Sequence, residues 1–224
     1  MTVRKKVGVV LAGCGYLDGA EIQEAVLTLL AIDRAGADAV CFAPDVEQKD
    51  VVDHFATAPA AGERRNVLRE SARIARGAVT KLSEARAADL DALVFPGGYG
   101  AAKNLSNFAS AGEKAVALPD VTRLVKEMHD AGKPMGFICI APAIAAAVFR
   151  GTSVHVRMTV GTDASTSATL ERMGARPGLR PVQDIEVDPE HKIVTTPAYM
   201  LAERIGDAAT GIEKLVDKVL FLTT

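Results

Sequence analysis

Three cysteines, two closely spaced glutamates and a glycine pair are the residues whose types and positions could do chemistry. Cys139 falls in Gly136-Phe137-Ile138-Cys139-Ile140-Ala141-Pro142, where an apolar strand-like run gives way to a helical one. A thiol at a helix start feels the positive end of the helix dipole, which favours the thiolate. A strand-to-helix turn also lifts the side chain above the sheet, as a nucleophile elbow does. Pro96-Gly97-Gly98 follows another apolar run. Glycines there leave backbone N–H groups unshielded, and those of Gly97, Gly98 and Ile140 could receive an oxyanion formed at Cys139. Glu24 lies three residues after Glu21 on a helical stretch, a spacing that puts both carboxyls on neighbouring faces. Glu24 could move protons at Cys139. Each residue also has a plainer role: a buried apolar cysteine, turn glycines that need positive φ, a solvated helix carboxylate.

Cys14, between Gly13 and Gly15, is either a second thiol in the same pocket or a small residue in a tight turn. Cys41 sits mid-strand and reads as core. Of the four histidines, His129 ends a helix and His191 falls in a turn. His155 is the one candidate imidazole partner for Cys139, although it begins its strand and functional groups favour the far end. The Gly13-Cys14-Gly15 turn lacks the third glycine of a dinucleotide fingerprint, and no G-x-x-x-x-G-K-[ST] loop occurs. No H-E-x-x-H or carboxylate cluster suggests a metal. Neither a cofactor nor a metal is expected.

The elements that must position these residues follow from hydropathy. Val7–Leu11, Ala39–Ala43, Ala92–Phe95, Pro134–Ile138, Val154–Val160 and the pair Ile185–Val187 and Lys192–Thr195 read as strands. The last two flank Asp188-Pro189-Glu190-His191 as a hairpin. Helices are predicted over Glu21–Ala35, Asn66–Ala75, Val121–Asp130, Ala141–Val148, Ser165–Met173 and Glu203–Leu222. Asp18-Gly19-Ala20-Glu21 has capping-box spacing, and 45–62 reads as a loop or excursion. Alternation of strand and helix implies an α/β fold with a mostly parallel, doubly wound sheet and a ligand site beyond the strand carboxyl ends.

The 224 residues, 49% of them hydrophobic, suit one globular domain spanning 1–224 and exclude disorder as the dominant state. A net charge of −2 gives no electrostatic case for nucleic acid or an anionic membrane. With no Trp and 4% aromatic residues, a base-stacking platform is disfavoured. Three widely spaced cysteines form no disulfide framework, so a reducing compartment is expected. No apolar run is long enough to span a membrane. Leu11-Ala12-Gly13-Cys14 imitates a lipoprotein box, but the apolar run before it, Val7–Ala12, is short for a leader and reads better as a buried strand.

Taken together, Pro96-Gly97-Gly98-Tyr99-Gly100-Ala101-Ala102-Lys103-Asn104-Leu105-Ser106, the elbow at Cys139 and the carboxyl at Glu24 resemble the PfpI-type superfamily, whose fold is class I glutamine-amidotransferase-like (flavodoxin-like). Within it, Gly13–Gly19, Glu24–Leu30, Val40–Asp45, Thr159–Asp163 and Val194–Met200 resemble the ElbB-type glyoxalases, described as isoprenoid-biosynthesis proteins with an amidotransferase-like domain. That resemblance implies a cytoplasmic homodimer with a Cys139–Glu24 centre, an oxyanion hole at Gly97, Gly98 and Ile140, and Cys14, Asn104 and His155 as pocket candidates. It implies a glutathione-independent, glyoxalase III-like lyase that turns glyoxal and similar small dicarbonyls into the hydroxy acid, with an apparent protein deglycase activity alongside. The sequence departs from glutamine amidotransferases, which pair their cysteine with H-x-E. Here His191-Lys192-Ile193 breaks that pattern, so a dyad is expected rather than a triad. The alternatives are a redox-sensing thiol without turnover and a partner protein that has lost its chemistry.

Overall fold

The computed structural model describes residues 4–223; Met1-Thr2-Val3 of the leader-like run lie outside them. The order is β1 (Lys6–Val10), α1 (Ile22–Arg34), β2 (Asp38–Ala43), β3 (Val52–Asp53), β4 (Ala58–Pro59), α2 (Val67–Ile74), β5 (Val79–Lys81) and β6 (Ala92–Phe95). Then come α3 (Tyr99–Lys103), α4 (Phe108–Ala111), α5 (Pro119–Asp130), β7 (Met135–Ile138), α6 (Pro142–Phe149), β8 (Arg157–Met158) and α7 (Ala164–Arg172). The chain finishes with β9 (Arg176–Pro177), β10 (Glu186–Asp188), β11 (Ile193–Thr196) and α8 (Ile205–Phe221).

Seven strands form the central sheet in the order β10-β11-β7-β6-β1-β2-β5. All neighbours are parallel except the β10–β11 hairpin. The fold is therefore the doubly wound, mostly parallel sheet with flanking helices that the alternation predicts. β1 connects to β2 on one side and lies beside β6 on the other, so the winding direction switches between β1 and β6. The crevice at such a switch is where ligands bind in open α/β sheets. The loops after β1, β6 and β7 all open there.

The strands at the switch are apolar throughout because both their faces are covered. Every residue of β6 and of β7 is buried. Phe95 and Phe137, last and third in these strands, stack with ring centroids 5.0 Å apart. α6, Pro142-Ala143-Ile144-Ala145-Ala146-Ala147-Val148-Phe149, is buried all round, which explains why it shows no polar stripe. α8 packs on β7 and β11 and against α1. It approaches so closely at Gly136 that a Cβ there would lie 2.6 Å from Leu215 Cδ2.

Four sequence expectations need correction. Within 154–160 only Arg157–Met158 forms a strand, and it pairs with β9 outside the central sheet. Side chains take the backbone donors a ladder would use: Arg157 N–H donates to Asp188 Oδ2 at 2.7 Å and Thr159 N–H to Thr195 Oγ1 at 2.8 Å. β5 was not foreseen, since Val-Thr-Lys carries no apolar run. No helix is predicted over 99–111, where α3 and α4 form. The capping box at Asp18 is out of register. Glu21 is the N-cap of α1, its carboxylate accepting from Glu24 N–H at 2.6 Å, whereas Asp18 is buried and accepts from Val52 N–H at 2.8 Å. The 45–62 excursion is as read, with the short β3–β4 pair inside it.

Replacing Phe137 by Ala removes a fully buried ring from the strand that carries the elbow. It should lower unfolding free energy by about 3–5 kcal/mol, measured as a shift of the urea midpoint at unchanged slope.

Candidate active site

The elbow cysteine is held in an uncommon backbone state. Cys139 has φ of 60°, left-handed geometry that costs a non-glycine residue about 1–3 kcal/mol unless its surroundings enforce it. They do so here from both sides. Cys139 N–H donates to Thr196 O of β11 at 2.9 Å, and Ala141 N–H closes the turn onto Ile138 O at 2.9 Å. The turn ends at Pro142, the first residue of α6, a position where its missing N–H removes nothing from the helix. The thiol is nearly covered, Cys139 being 8% exposed.

Glu24 lies one turn into α1 with no exposed surface. Its carboxyl meets two backbone donors: Gly97 N–H at 2.9 Å on Oε2 and Tyr199 N–H at 3.1 Å on Oε1. The Cys139 thiol lies beside it. Burial is the largest influence and raises its pKa to about 8, assisted by the nearby Glu21 charge and opposed by the Tyr199 N–H, the thiol and the Gly97 N–H. Burial also pushes the Cys139 thiol up, with the Glu24 charge adding to it. The N–H groups of Gly98 and Ile140 lie at the sulfur and act the other way. The net direction is opposite to the thiolate-favouring effect expected from the helix start alone. Two groups that both resist charge carry at most one negative charge between them near neutral pH. Protonation of Glu24 removes its repulsion of the sulfur and leaves the two N–H groups facing it.

This corrects the expected oxyanion trio. The Gly97 N–H is committed to Glu24, because a carboxyl without water needs fixed donors. Gly98 and Ile140 keep their N–H groups at the sulfur. Both glycines are sterically required. A Cβ at Gly97 would lie 2.5 Å from Cys139 Cβ and 2.6 Å from Glu24 Oε2, and one at Gly98 would lie 2.3 Å from Glu21 N. The segment is sewn to the first loop by Glu21 N–H to Gly97 O at 2.9 Å, Tyr99 N–H to Tyr16 O at 2.7 Å and Gly100 N–H to Gly19 O at 2.8 Å.

A cavity of about 410 Å³ opens above the sulfur, lined by Tyr16, Glu21, Gly98, Tyr99, Ala102, Phe108, Ala109, Cys139, Ile140, Asp163, Thr166, Tyr199 and Met200. The three further pocket candidates lie elsewhere. Asn104 is buried scaffold: its Nδ2 donates to Ala12 O at 2.9 Å and Asp18 O at 2.7 Å, and its Oδ1 accepts from Lys49 N–H at 2.9 Å. It ties α3, the first loop and the excursion together. Cys14 does not line the cavity. It is half-buried, raised in pKa by burial and then by Glu70, with Arg73, Asp18 and Arg65 also acting on it. His155 is exposed and bonds Gly174 O through Nδ1 at 2.8 Å, on the stretch that leaves the sheet. No imidazole lines the cavity among the described residues. Cys41 is core as read, pushed up to about 11 by burial.

Sequence reasoning gave no place in the cavity to Tyr199, whose backbone holds Glu24, or to the acidic pair Glu21 and Asp163. Tyr199 follows β11, and its position just past a strand's carboxyl end was a usable signal. Glu21 and Asp163 are each helix N-caps, accepting from Glu24 N–H and from Thr166 N–H at 2.7 Å. Their capping role hides their place in the cavity.

No family model matches the chain. The human mitochondrial glutamine amidotransferase-like class 1 domain-containing protein 3 is 46% identical over 97% of this chain and 83% of its own length. A crystal structure of an isoprenoid biosynthesis protein with an amidotransferase-like domain from Ehrlichia chaffeensis superimposes with a TM-score of 0.92 at 37% identity, covering 98% of this chain and all of that one. Drosophila melanogaster DJ-1beta, 18% identical with a TM-score of 0.55 and covering 98% of this chain and 96% of that one, shares the fold. The expectation of a cytoplasmic protein is corrected by the human relative, which is mitochondrial.

Glu24 carries a stability signature. Its folded pKa of about 8 exceeds the ordinary 4.5, so the folded state holds a proton that the unfolded chain releases. The stabilisation this gives is full below about 4.5 and is lost as pH rises towards 8. The urea midpoint of the protein should therefore fall relative to that of Glu24→Gln across this window and run parallel to it above. Parallel curves throughout would contradict a raised Glu24.

Proposed function

The chain belongs to the glutamine amidotransferase-like class 1 domain family, and from that membership we propose that it is a cofactor-independent, cysteine-dependent glyoxalase of the ElbB type. The observation that carries the reading is a carboxyl group with no exposed surface, hydrogen-bonded beside a thiol at the head of a cavity, with no imidazole lining it among the described residues. A glutaminase triad needs an imidazole to take the thiol proton. A Cys–Glu dyad suits a reaction in which one group both removes and returns a proton at neighbouring carbons.

The Cys139 sulfur attacks one aldehyde carbon of glyoxal, and the thiol proton ends on the new hydroxyl, giving a hemithioacetal. The Gly98 and Ile140 N–H groups hold the oxygen as charge develops on it. Glu24 takes the proton from the carbon that bears sulfur, a proton is returned to the adjacent carbon, and the proton of the first hydroxyl passes to the neighbouring carbonyl oxygen. The first carbon is oxidised to a thioester and the second reduced to an alcohol, with no outside electron donor or acceptor. Water then cleaves the thioester, releasing glycolate and restoring the thiol. A pKa of about 8 lets Glu24 give and accept a proton near neutral pH. Removal of free dicarbonyl also accounts for an apparent deglycase activity, since reversible adducts on proteins dissociate as the free pool falls.

Glyoxal consumption with glycolate detection, without glutathione or added metal, tests the reading. Cys139→Ala should abolish turnover. Glu24→Gln should lower kcat by at least about 10²-fold, the scale of lost general acid–base help. Stoichiometric consumption, or equal turnover in protein and Cys139→Ala, would sink the glyoxalase and favour a redox-sensing or scavenging thiol.

A further inference from the structure

The cavity above Cys139 is much larger than glyoxal requires and has an uneven charge. Its volume of about 410 Å³ lies in the range of pockets for sizeable organic ligands. Its walls are aromatic and aliphatic, with Tyr16, Phe108, Tyr199 and Met200 among them. The carboxyl side chains that line it are Glu21 and Asp163, and no Lys, Arg or His lines it among the described residues. Lys103, which comes within 5.4 Å of the Tyr99 ring centre, directs its ammonium to Asp50 at 2.8 Å and the Leu17 carbonyl at 3.0 Å. Sites that take carboxylated or phosphorylated substrates supply guanidinium, ammonium or spare N–H groups to them. Here the N–H groups of Gly98 and Ile140 face the sulfur and that of Gly97 is held by Glu24. An anionic substituent would be desolvated against two acidic side chains with nothing to pair it.

We infer that the cavity takes a carbonyl substrate with an apolar or aromatic body larger than glyoxal and no anionic group, and that Glu21 and Asp163 set this preference. The inference rests on Cys139 acting as the nucleophile at the cavity head, but its test does not depend on turnover. Three alkylating agents probe the cavity directly: iodoacetamide, its N-phenyl anilide, and the same anilide carrying a para-carboxylate. Rates of Cys139 modification are read by peptide mass spectrometry, which separates Cys14 and Cys41, and are each divided by the rate on N-acetylcysteine. The neutral anilide should outrun iodoacetamide, and it should outrun its carboxylated twin by about tenfold or more. In Glu21→Gln/Asp163→Asn, whose amide oxygens can still cap α1 and α7, the neutral-to-anionic ratio should fall towards that of the free thiol.

Equal normalised rates for the two anilides, or a ratio unmoved by the double substitution, would overturn the charge preference. An anilide that is no faster than iodoacetamide would overturn the apolar body. Charge-selective alkylation without glyoxal turnover would remove the glyoxalase reading and leave this inference standing. Glyoxal turnover with no charge selection would do the reverse.

Discussion

A carboxyl group sealed from water is the constraint around which the rest of the site is arranged. Glu24 has no exposed surface, and an ionisable group in that position is tolerated only with fixed hydrogen-bond partners. One partner comes from the loop after β6, one from the turn after β11, and the thiol from the elbow after β7. Three separate crossovers must therefore arrive at one point. The glycine at position 97 follows from this, because backbone has to approach both the carboxyl and Cys139 closer than any side chain allows. The left-handed backbone at Cys139 follows too, since the neighbouring elements fix the turn on both sides.

Much of this architecture is legible in the residues themselves. Continuous apolar strands separated by helical stretches specify a parallel sheet, and the switch between β1 and β6 then directs attention to the loops that carry Gly97 and Cys139. Legibility ends where side chains compete with the ladder. Residues 154–160 look like a strand because Val154, Val156, Met158 and Val160 alternate with polar residues, yet Asp188 and Thr195 capture the donors at Arg157 and Thr159. His155 and Asn104 fail as pocket residues for a related reason. Their place in the chain lies close to site motifs, but one is carried off with the departing stretch and the other turns inward to bind backbone carbonyls. The Gly97 N–H was assigned to an oxyanion because sequence shows that a donor is free of shielding, not which acceptor reaches it first.

The fold itself accommodates several chemistries, and this site departs from an amidotransferase by its proton carriers. The β10–β11 turn brings His191 to His129 at the end of α5, with Nδ1 and Nε2 3.2 Å apart, rather than to the sulfur. What remains beside the thiol is a carboxyl whose proton affinity is tuned by burial. The helix dipole, which sequence reasoning placed first, is outweighed by desolvation. A group with 8% exposure loses more by leaving water than a helix terminus returns.

The acidic rim also bears on how a catalytic cycle ends. Hydrolysis of a thioester at Cys139 would convert an uncharged guest into a carboxylate within the cavity. No cation among the described lining residues holds that carboxylate, and Glu21 and Asp163 line the same cavity. Electrostatics that hinder an anion from entering also hasten its departure. Such a site would be weakly inhibited by its own product, and reversal would be opposed at the binding step, before any bond to sulfur could form.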